Sequence, residues 1–397
     1  MTILIEALLG CAALLLLVPV TVLLVEVLLA LTGRGRETSE EGVRPRLAVL
    51  IPAHNEASII VGTIRSVLPQ LSTADRLLVV ADNCLDETAA IACAAGAQVI
   101  ERSDTTRRGK GYALDLGVRH LGTDPPEVVV IVDADCQVAY GALDHLARRC
   151  VRSGRPVQAL NLMYARNGAG FEARIAQFAW IVKNQIRPLG LHRLGLPCQL
   201  MGTGMAFPWS CLATGPLATG HLVEDLKLGI DLARAGVPPL FCPEALVTSA
   251  FPISGESVRA QRTRWEHGHL GIILSEAPRL FLDSLVRLSP PLLALALDVS
   301  VPPLALLTLL VLGIWFASTL LYHFTSLTFP LLISSGALGM LALTVLLSWA
   351  SYGRRIVSLG DLAFLVFYAL AKVPLYAKFL VARQLDWVRS KRDGDES

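Results

Sequence analysis

Two carboxylates stand one residue apart at the end of an apolar run, in the segment VVIVDADCQ that covers residues 129–137. Asp133 and Asp135, separated by Ala134, directly follow four β-branched residues. Such a pair can hold a hard divalent cation such as Mg²⁺ together with substrate phosphates, and the cation would then neutralise a departing diphosphate. A solvated acidic turn gives the same local pattern, so the interpretation depends on the rest of the chain.

Three more polar signatures follow apolar runs or precede helical patterns in the first half of the chain. The segment PAHNE covers residues 52–56, ADNCLDET carries Asp82 and Asp86, and RRGKGYAL places Lys110 between two glycines. A lysine in this setting suits a phosphate contact, although a surface lysine has the same appearance.

Two helical patterns in the second half also carry chemistry-bearing residues. The segment 222–236 begins with Glu224 and Asp225, which are candidate bases but also complement a helix dipole. In QRTRWEHGH, residues 261–269, Gln261, Arg264 and Trp265 fall at i, i+3 and i+4 and share one helix face. An arginine beside a tryptophan suits a diphosphate and a stacked sugar, and it also suits an anchor at a membrane interface.

The elements that must position these residues alternate between short apolar runs and helical patterns. Strands are predicted at residues 46–51, 76–81, 97–101 and 127–132. Strands separated by helices predict βαβ units and a parallel sheet, whose ligands lie beyond the carboxyl ends of the strands. The polar signatures are therefore expected to meet at one edge of the sheet.

The composition predicts a membrane protein, because 53% of the residues are hydrophobic and only 17% are charged. Residues 3–31 are long enough to cross a bilayer, and a retained anchor is favoured over a signal peptide because no basic segment precedes a run of this length. Residues 302–321 and 329–350 are further predicted spans. The stretch 360–383 contains charges and a proline, so a membrane-surface helix is favoured there over a fourth span.

Charge placement predicts the orientation and the compartment. The arginines after the first span and at 354–355 put the intervening domain and the C-terminus in the cytoplasm, which predicts a multi-pass protein of the cytoplasmic (inner) membrane. Eight cysteines without a C-x-x-C pair predict a reduced compartment with neither disulfides nor a zinc site. A net charge of +2 gives no bulk attraction to nucleic acid.

The predicted organisation has five parts. They are an N-terminal transmembrane anchor (1–32), a linker (33–45), a cytoplasmic catalytic domain (46–285), a C-terminal membrane region (286–383) and a basic cytoplasmic tail (384–397). Within the catalytic domain, the segment 171–186 is predicted to be either a membrane-surface helix or a core helix.

The order of the motifs resembles one known family. PAHNE, the Asp82 turn, RRGKGYAL, D-x-D, E-D and Q-x-x-R-W occur as in family 2 glycosyltransferases of the GT-A fold, over about residues 46–270. The resemblance is to the membrane-embedded branch, which includes cellulose, hyaluronan and poly-N-acetylglucosamine synthases. It implies an α/β domain with a Rossmann-like, parallel-centred sheet, flanked by transmembrane helices at both ends.

The resemblance also implies roles for individual residues. A nucleotide-sugar donor would contact Pro52, Ala53, Glu56, Asp82, Lys110, Asp133, Asp135, Gln261, Arg264 and Trp265, with Asp82 on the base. Asp135 would bind Mg²⁺ or Mn²⁺. Asp225, with Glu224 beside it, would be the general base. Gly202, Thr203, Gly204 and Trp265 would lie on the acceptor side.

The implied function is inverting transfer from a nucleotide-diphosphate sugar, with a UDP-sugar favoured, to a polysaccharide acceptor in exopolysaccharide or cell-envelope synthesis. Expected partners are the donor, the saccharide, the lipid bilayer and polysaccharide-export proteins, and no nucleic acid. Two alternatives stay open: single transfer to a lipid-linked acceptor, and a non-catalytic membrane scaffold that binds nucleotide sugars. A transporter is disfavoured because the clear spans hold few charges.

Overall fold

The computed structural model describes residues 2–33, 42–166, 168–213, 223–251 and 255–381, and their side chains except those of 255–262. The chain divides into two compact units. The sheet unit consists of Gly35–Arg166, Gly195–Gly268 and Leu385–Ser397, and the helical unit consists of Met1–Arg34, Asn167–Leu194 and His269–Gln384. Residues 34–41 of the predicted linker and the predicted tail 384–397 lie outside the described residues.

Eight strands and seventeen α-helices make up the described chain. The strands are β1 Leu47–Ala53, β2 Arg76–Asp82, β3 Gln98–Arg102, β4 Val128–Ile131, β5 Gln137–Val138, β6 Val157–Tyr164, β7 Met205–Pro208 and β8 Leu240–Ala250. The helices are α1 Thr2–Leu31, α2 Ile60–Val67, α3 Thr88–Ala94, α4 Lys110–Leu121, α5 Ala142–Ser153, α6 Phe171–Ile181, α7 Arg187–Arg193, α8 Trp209–Ala213, α9 Glu224–Arg234, α10 Gly255–Ser275, α11 Ala277–Val286, α12 Pro290–Ser300, α13 Leu304–Thr325, α14 Phe329–Ser348, α15 Leu359–Ala363, α16 Leu365–Ala371 and α17 Val373–Val381.

The sheet unit is built on one eight-stranded sheet in the order β3-β2-β1-β4-β7-β6-β8-β5. β1 pairs in parallel with β2 and β4, and β2 pairs in parallel with β3. Each of the four strands predicted from the sequence overlaps one of these four, and their apolar runs are continuous because helices cover both faces of the parallel part. The predicted parallel-centred α/β fold is confirmed.

This topology brings the end of β4 and the start of β7 to the same edge. β7 runs antiparallel between β4 and β6, and Ile131 pairs with Met205. The Asp133–Asp135 pair, which begins two residues after the end of β4, therefore meets the turn that directly precedes β7. The carboxyl ends of β1 and β2 lie at this edge as well, since both are parallel to β4.

The segment 171–186 lies in the helical unit, and the stretch of the sheet unit that contains β7 and β8 continues to Gly268. α6 continues through a π-helical turn, Val182–Ile186, into α7. α7 packs against α1 at Gly190, where an added Cβ would lie 2.1 Å from the carbonyl oxygen of Glu26. The absence of a side chain at Gly190 is what permits this approach.

Three helices of the helical unit are long and apolar enough to cross a membrane. They are Thr2–Leu31, Leu304–Thr325 and Phe329–Gly353, which overlap the three predicted spans. The predicted helix at 360–383 instead consists, as far as residue 381, of the three short helices α15, α16 and α17. Asp361 and Ser358 form a capping box that starts α15, and the break between helices leaves no continuous apolar helix of spanning length in these residues.

A buried ion cluster joins three elements of the helical unit. Arg187 of α7 donates from Nε to Glu26 Oε2 of α1 at 2.9 Å, and from Nη2 to Asp298 Oδ1 of α12 at 2.5 Å. All three residues are at most 4% exposed. Burying an unpaired charge is very costly, and here the buried guanidinium of Arg187 pairs with both carboxylates.

We expect Arg187→Met to lower the free energy of unfolding by about 3–5 kcal/mol, because it removes the guanidinium that contacts both buried carboxylates. Thermal unfolding in detergent measures the change. The matched control is Arg174→Met, which removes the 3.0 Å ion pair with Asp361, a pair whose arginine side chain is 38% exposed and whose contribution is correspondingly small. Equal losses in the two variants would contradict a special role for the buried cluster.

Candidate functional site

The centre of the candidate site is the ammonium group of Lys110, the first residue of α4. Its Nζ donates to Asp133 Oδ1, directly after β4, and to the carbonyl oxygen of Gly202 at 2.5 Å. Gly109 precedes it with a φ of +130°, a conformation that favours glycine. The glycine-flanked lysine of the sequence is therefore held inward and is not a surface lysine.

The turn before β7 meets the same group. The backbone N–H of Asp133 donates to Thr203 Oγ1 at 3.0 Å. A Cβ added to Gly202 would lie 3.4 Å from Asp225 Oδ2, at the start of α9. The structure therefore brings together Lys110, Asp133, Asp225 and the turn, although up to 115 residues separate them in the chain.

The other two residues of the predicted acceptor-side turn are largely buried. Thr203 is 4% exposed and its hydroxyl also contacts Cys136 Sγ at 3.4 Å. At Gly204, with φ +63°, an added Cβ would lie 2.7 Å from the Cβ of Ala159. Close packing against the sheet explains Gly204, whereas the hydroxyl of Thr203 holds the backbone of Asp133, and Gly202 is the member of the turn that lies beside Asp225.

Acidic side chains are grouped around Lys110 in the described part of the site. Burial raises the pKa of Asp133, and Lys110 opposes this shift, while the neighbouring Asp135 and Asp225 carboxylates add to it. Burial and then repulsion by Asp225 raise the pKa of Glu224 to about 7. Burial alone would lower the pKa of Lys110, but the carboxylates of Asp133, Glu224 and Asp225 together raise it. The carboxylates of Asp133, Glu224 and Asp225 thus act on one ammonium group, and Asp135 lies close to Asp133. This grouping of acidic side chains suits a bound cation.

The residues predicted to hold the nucleotide lie at the ends of β1 and β2. Pro52 and Ala53 end β1, and the backbone N–H of the buried Glu56 donates to Thr88 Oγ1 at 2.8 Å. Asp82 ends β2, where its Oδ1 accepts hydrogen bonds from Asn83 at 2.9 Å and from Arg102 at 2.7 Å.

Arg102 is a residue of this region that the sequence interpretation missed. It ends β3 one residue beyond the predicted strand, and it is the register partner of Asp82. Its guanidinium also contacts Asp104 at 3.2 Å and lies 5.4 Å from the ring centroid of Tyr112. Its position at the end of a predicted strand, like that of Asp82, is the signal that could have found it.

The Q-x-x-R-W motif lies in α10, as its helical spacing predicts. Arg264 and Trp265 are partly exposed, and the side chain of Gln261 lies outside the described residues. The approach of these three residues to the carboxylates stays a prediction.

The carboxylates supply hard oxygen donors of the kind that Mg²⁺ and Mn²⁺ accept. Within the described part of the chain, no three His, Cys, Asp or Glu side chains converge closely enough to hold a metal ion by themselves. Asp135 and its neighbours therefore fit a divalent cation that takes further ligands from phosphate oxygens and water, as Mg²⁺ commonly does.

We expect the contribution of Glu224 to the stability of the protein to fall as the pH rises from about 4.5 to about 7, because the unfolded chain releases the Glu224 proton earlier than the folded protein does. Glu224→Gln removes this loss, so its thermal midpoint exceeds that of the wild type at pH 8 and approaches it at pH 4. Glu87→Gln, at an exposed helix start, is the matched control. A pH-independent difference for Glu224→Gln would contradict the expectation.

Comparisons with known proteins give the family. Residues 45–268 match the profile of the family described as "Glycosyltransferase like family 2". The probable glycosyltransferase YdaM of Bacillus subtilis (strain 168) is 27% identical over 266 residues, which are 62% of this chain and 60% of that protein. The chain thus matches less than two thirds of that relative's length.

Two solved structures are similar. The mannosyltransferase PcManGT from Pyrobaculum calidifontis, in complex with GDP-Man and Mn²⁺, has a TM-score of 0.56 at 17% identity and covers 96% of this chain and 99% of its own. Glucosyl-3-phosphoglycerate synthase from Mycobacterium tuberculosis, with Mn²⁺ and UDP-glucose, has a TM-score of 0.40 at 23% identity and covers 57% and 78%. The first likeness extends through the whole fold. Because the profile matches more than half of the chain, this protein belongs to glycosyltransferase family 2 and has the GT-A fold.

Proposed function

We propose that this protein is a membrane-bound, inverting glycosyltransferase that moves a sugar from a nucleoside-diphosphate donor to a saccharide acceptor. The observation that supports this most directly is the position of Lys110 beside Asp133, with Glu224 and Asp225 close to it, at the carboxyl edge of the sheet. A cationic side chain beside hard oxygen donors suits a diphosphate and its counter-cation.

The donor would lie along the sheet edge. Asp82 and the ends of β1 and β2 would receive the nucleoside, and Lys110 near β4 would receive the diphosphate. This arrangement agrees with the rule that ligands of parallel sheets bind beyond the carboxyl ends of the strands. A UDP-sugar is the donor we favour.

A divalent cation, Mg²⁺ or Mn²⁺, is part of the proposal because a diphosphate entering this site would meet the acidic side chains close to Lys110, among them Asp133 and Asp225. Asp135 would hold the cation, in company with Asp133. When bound, the cation supplies electrostatic stabilisation of the leaving diphosphate. Lys110, already directed inward, would support the same charge.

Asp225 would act as the general base. It lies beside Gly202, and its carboxylate would take the proton of the acceptor hydroxyl as that oxygen attacks C1 of the sugar. The bond from C1 to the diphosphate oxygen breaks as the new bond forms on the opposite face. This single displacement would convert an α-linked donor into a β-linked product.

The proposed product is an exopolysaccharide or cell-envelope polysaccharide, made by a multi-pass protein of the inner membrane whose sheet unit faces the cytoplasm. Polysaccharide-export proteins would be further partners. Single transfer to a lipid-linked acceptor is the second candidate. Among the described residues, three helices are long and apolar enough to span a membrane. This is a small number for a bundle that must enclose a polymer path, so it favours single transfer.

We expect Asp225→Asn to reduce sugar transfer at least about 100-fold while donor binding persists, because the variant lacks the base. The measurement is nucleotide release by purified protein in detergent, with UDP- and GDP-sugars and added Mg²⁺ or Mn²⁺. Asp231→Asn is the matched control, since Asp231 lies on the same helix and pairs with Lys227 at the surface. Full release by Asp225→Asn would refute this choice of base. Release that ignores the cation and survives Asp135→Asn would refute the metal role.

A product-size assay with one radiolabelled donor separates the two acceptors. A ladder of lengthening saccharides is the outcome expected for polysaccharide synthesis. A single lipid-soluble product would contradict it and establish the lipid-linked acceptor. Absence of any nucleotide release with all donors would support the non-catalytic scaffold.

A further inference from the structure

The turn that precedes β7 is held by a fully buried carboxamide. Gln158, on β6, is 0% exposed. Its Oε1 accepts the backbone N–H of Met201 at 2.7 Å, and its Nε2 donates to the carbonyl oxygens of Thr203 and Ala159, each at 2.9 Å. One side chain thus binds the backbone on both sides of Gly202.

The partners of Gln158 leave no freedom in the orientation of its amide. A backbone N–H requires the oxygen, and two carbonyl groups require the nitrogen, so all three bonds are made in one orientation only. Asn161, two positions beyond Ala159 on the same strand, donates from Nδ2 to the carbonyl oxygen of Met201 at 3.0 Å. The turn is therefore fastened to β6 by side chains and not only by strand pairing.

The same turn makes the polar contacts of the candidate site. The carbonyl oxygen of Gly202 accepts from Lys110, and the hydroxyl of Thr203 accepts from the backbone N–H of Asp133. A shift of the turn would therefore move the partner of Lys110 and the partner of Asp133 together. Asp225, which lies against Gly202, would lose its present neighbour in the same movement.

We propose that Gln158 is a positioning residue of the transfer reaction. It holds the turn at residues 201–204 so that Gly202 and Thr203 keep Lys110, Asp133 and Asp225 in one arrangement, and it thereby sets the acceptor side of the site. The catalytic part of this inference rests on the proposed function. The structural part, that the turn depends on the carboxamide, does not.

Two substitutions separate the contributions of the amide. Gln158→Leu keeps the approximate volume and removes the buried hydrogen bonds to the N–H of Met201 and to the carbonyl oxygens of Thr203 and Ala159. Gln158→Glu places a carboxylate against two carbonyl oxygens, and only its protonated form regains one donor. The activity of Gln158→Glu relative to wild type is therefore expected to rise as the pH is lowered.

The control is Val157→Ala, one residue earlier on β6. Val157 is also 0% exposed, but its side chain belongs to the apolar core and offers no hydrogen bond to the turn. This variant loosens the strand by removing buried apolar volume. A purely structural role of Gln158 would make its variants behave like this one.

The test combines hydrogen–deuterium exchange of the full-length protein in detergent with initial rates at varied donor and acceptor. For Gln158→Leu we expect faster exchange in residues 199–207, and an acceptor KM raised about tenfold with a donor KM close to that of wild type. Val157→Ala is expected to lower the thermal midpoint without either change.

Unchanged exchange at 199–207 in Gln158→Leu would overturn the inference. So would faster exchange with an unaltered acceptor KM, or a Gln158→Glu profile parallel to that of wild type. If the wild type releases no nucleotide with any donor, the proposed function fails and the positioning role fails with it. The exchange data would then still show whether the carboxamide holds the turn.

Discussion

One ammonium group among carboxylates is the interaction on which the sheet unit depends. Lys110 bonds Asp133 and the carbonyl of Gly202, and so connects the start of α4, the end of β4 and the turn before β7. The carboxyl groups of Asp133, Glu224 and Asp225 act on this ammonium group, and Asp135 acts on Asp133. Burial favours the neutral forms of Asp133 and Glu224, and acidic groups perturbed in this way are frequent at functional sites.

The helical unit also contains a buried cation next to carboxylates, but there the cation is an arginine. Arg187 lies between Glu26 and Asp298, and all three are almost fully buried. The planar guanidinium bonds each carboxylate in a fixed direction, whereas the ammonium of Lys110 is a compact charge that can change partners. The arginine cluster therefore suits a permanent connection between helices, and the lysine cluster suits a site whose partners change during a reaction.

Sequence reasoning found the strands of the parallel part and the polar residues after them, because both are local patterns. It missed Arg102 by one residue of strand length, and it missed Gln158 because a glutamine inside an apolar strand gives no signal of its own. Glu26 was visible only as an interruption of an apolar run. Its partners Arg187 and Asp298 are 161 and 272 positions away, and no local pattern connects the three. The single helix predicted at 360–383 consists, as far as residue 381, of three short helices. Average hydropathy does not show where a helix begins or ends, whereas the capping box of Ser358 and Asp361 fixes the start of α15.

The sequence by itself determined the family, the parallel-centred sheet, the three apolar helices and the identity of the carboxylates and of Lys110. These follow from periodicity, composition and motif order, which can be read directly from the amino-acid sequence. Only the tertiary structure decided that Lys110 points inward to Asp133, that Thr203 bonds the backbone of Asp133 while Gly204 packs against Ala159, that Gly202 lies beside Asp225, and that Gln158 bonds the backbone on both sides of Gly202. Those facts depend on the antiparallel insertion of β7 between β4 and β6, which brings distant segments within hydrogen-bonding distance.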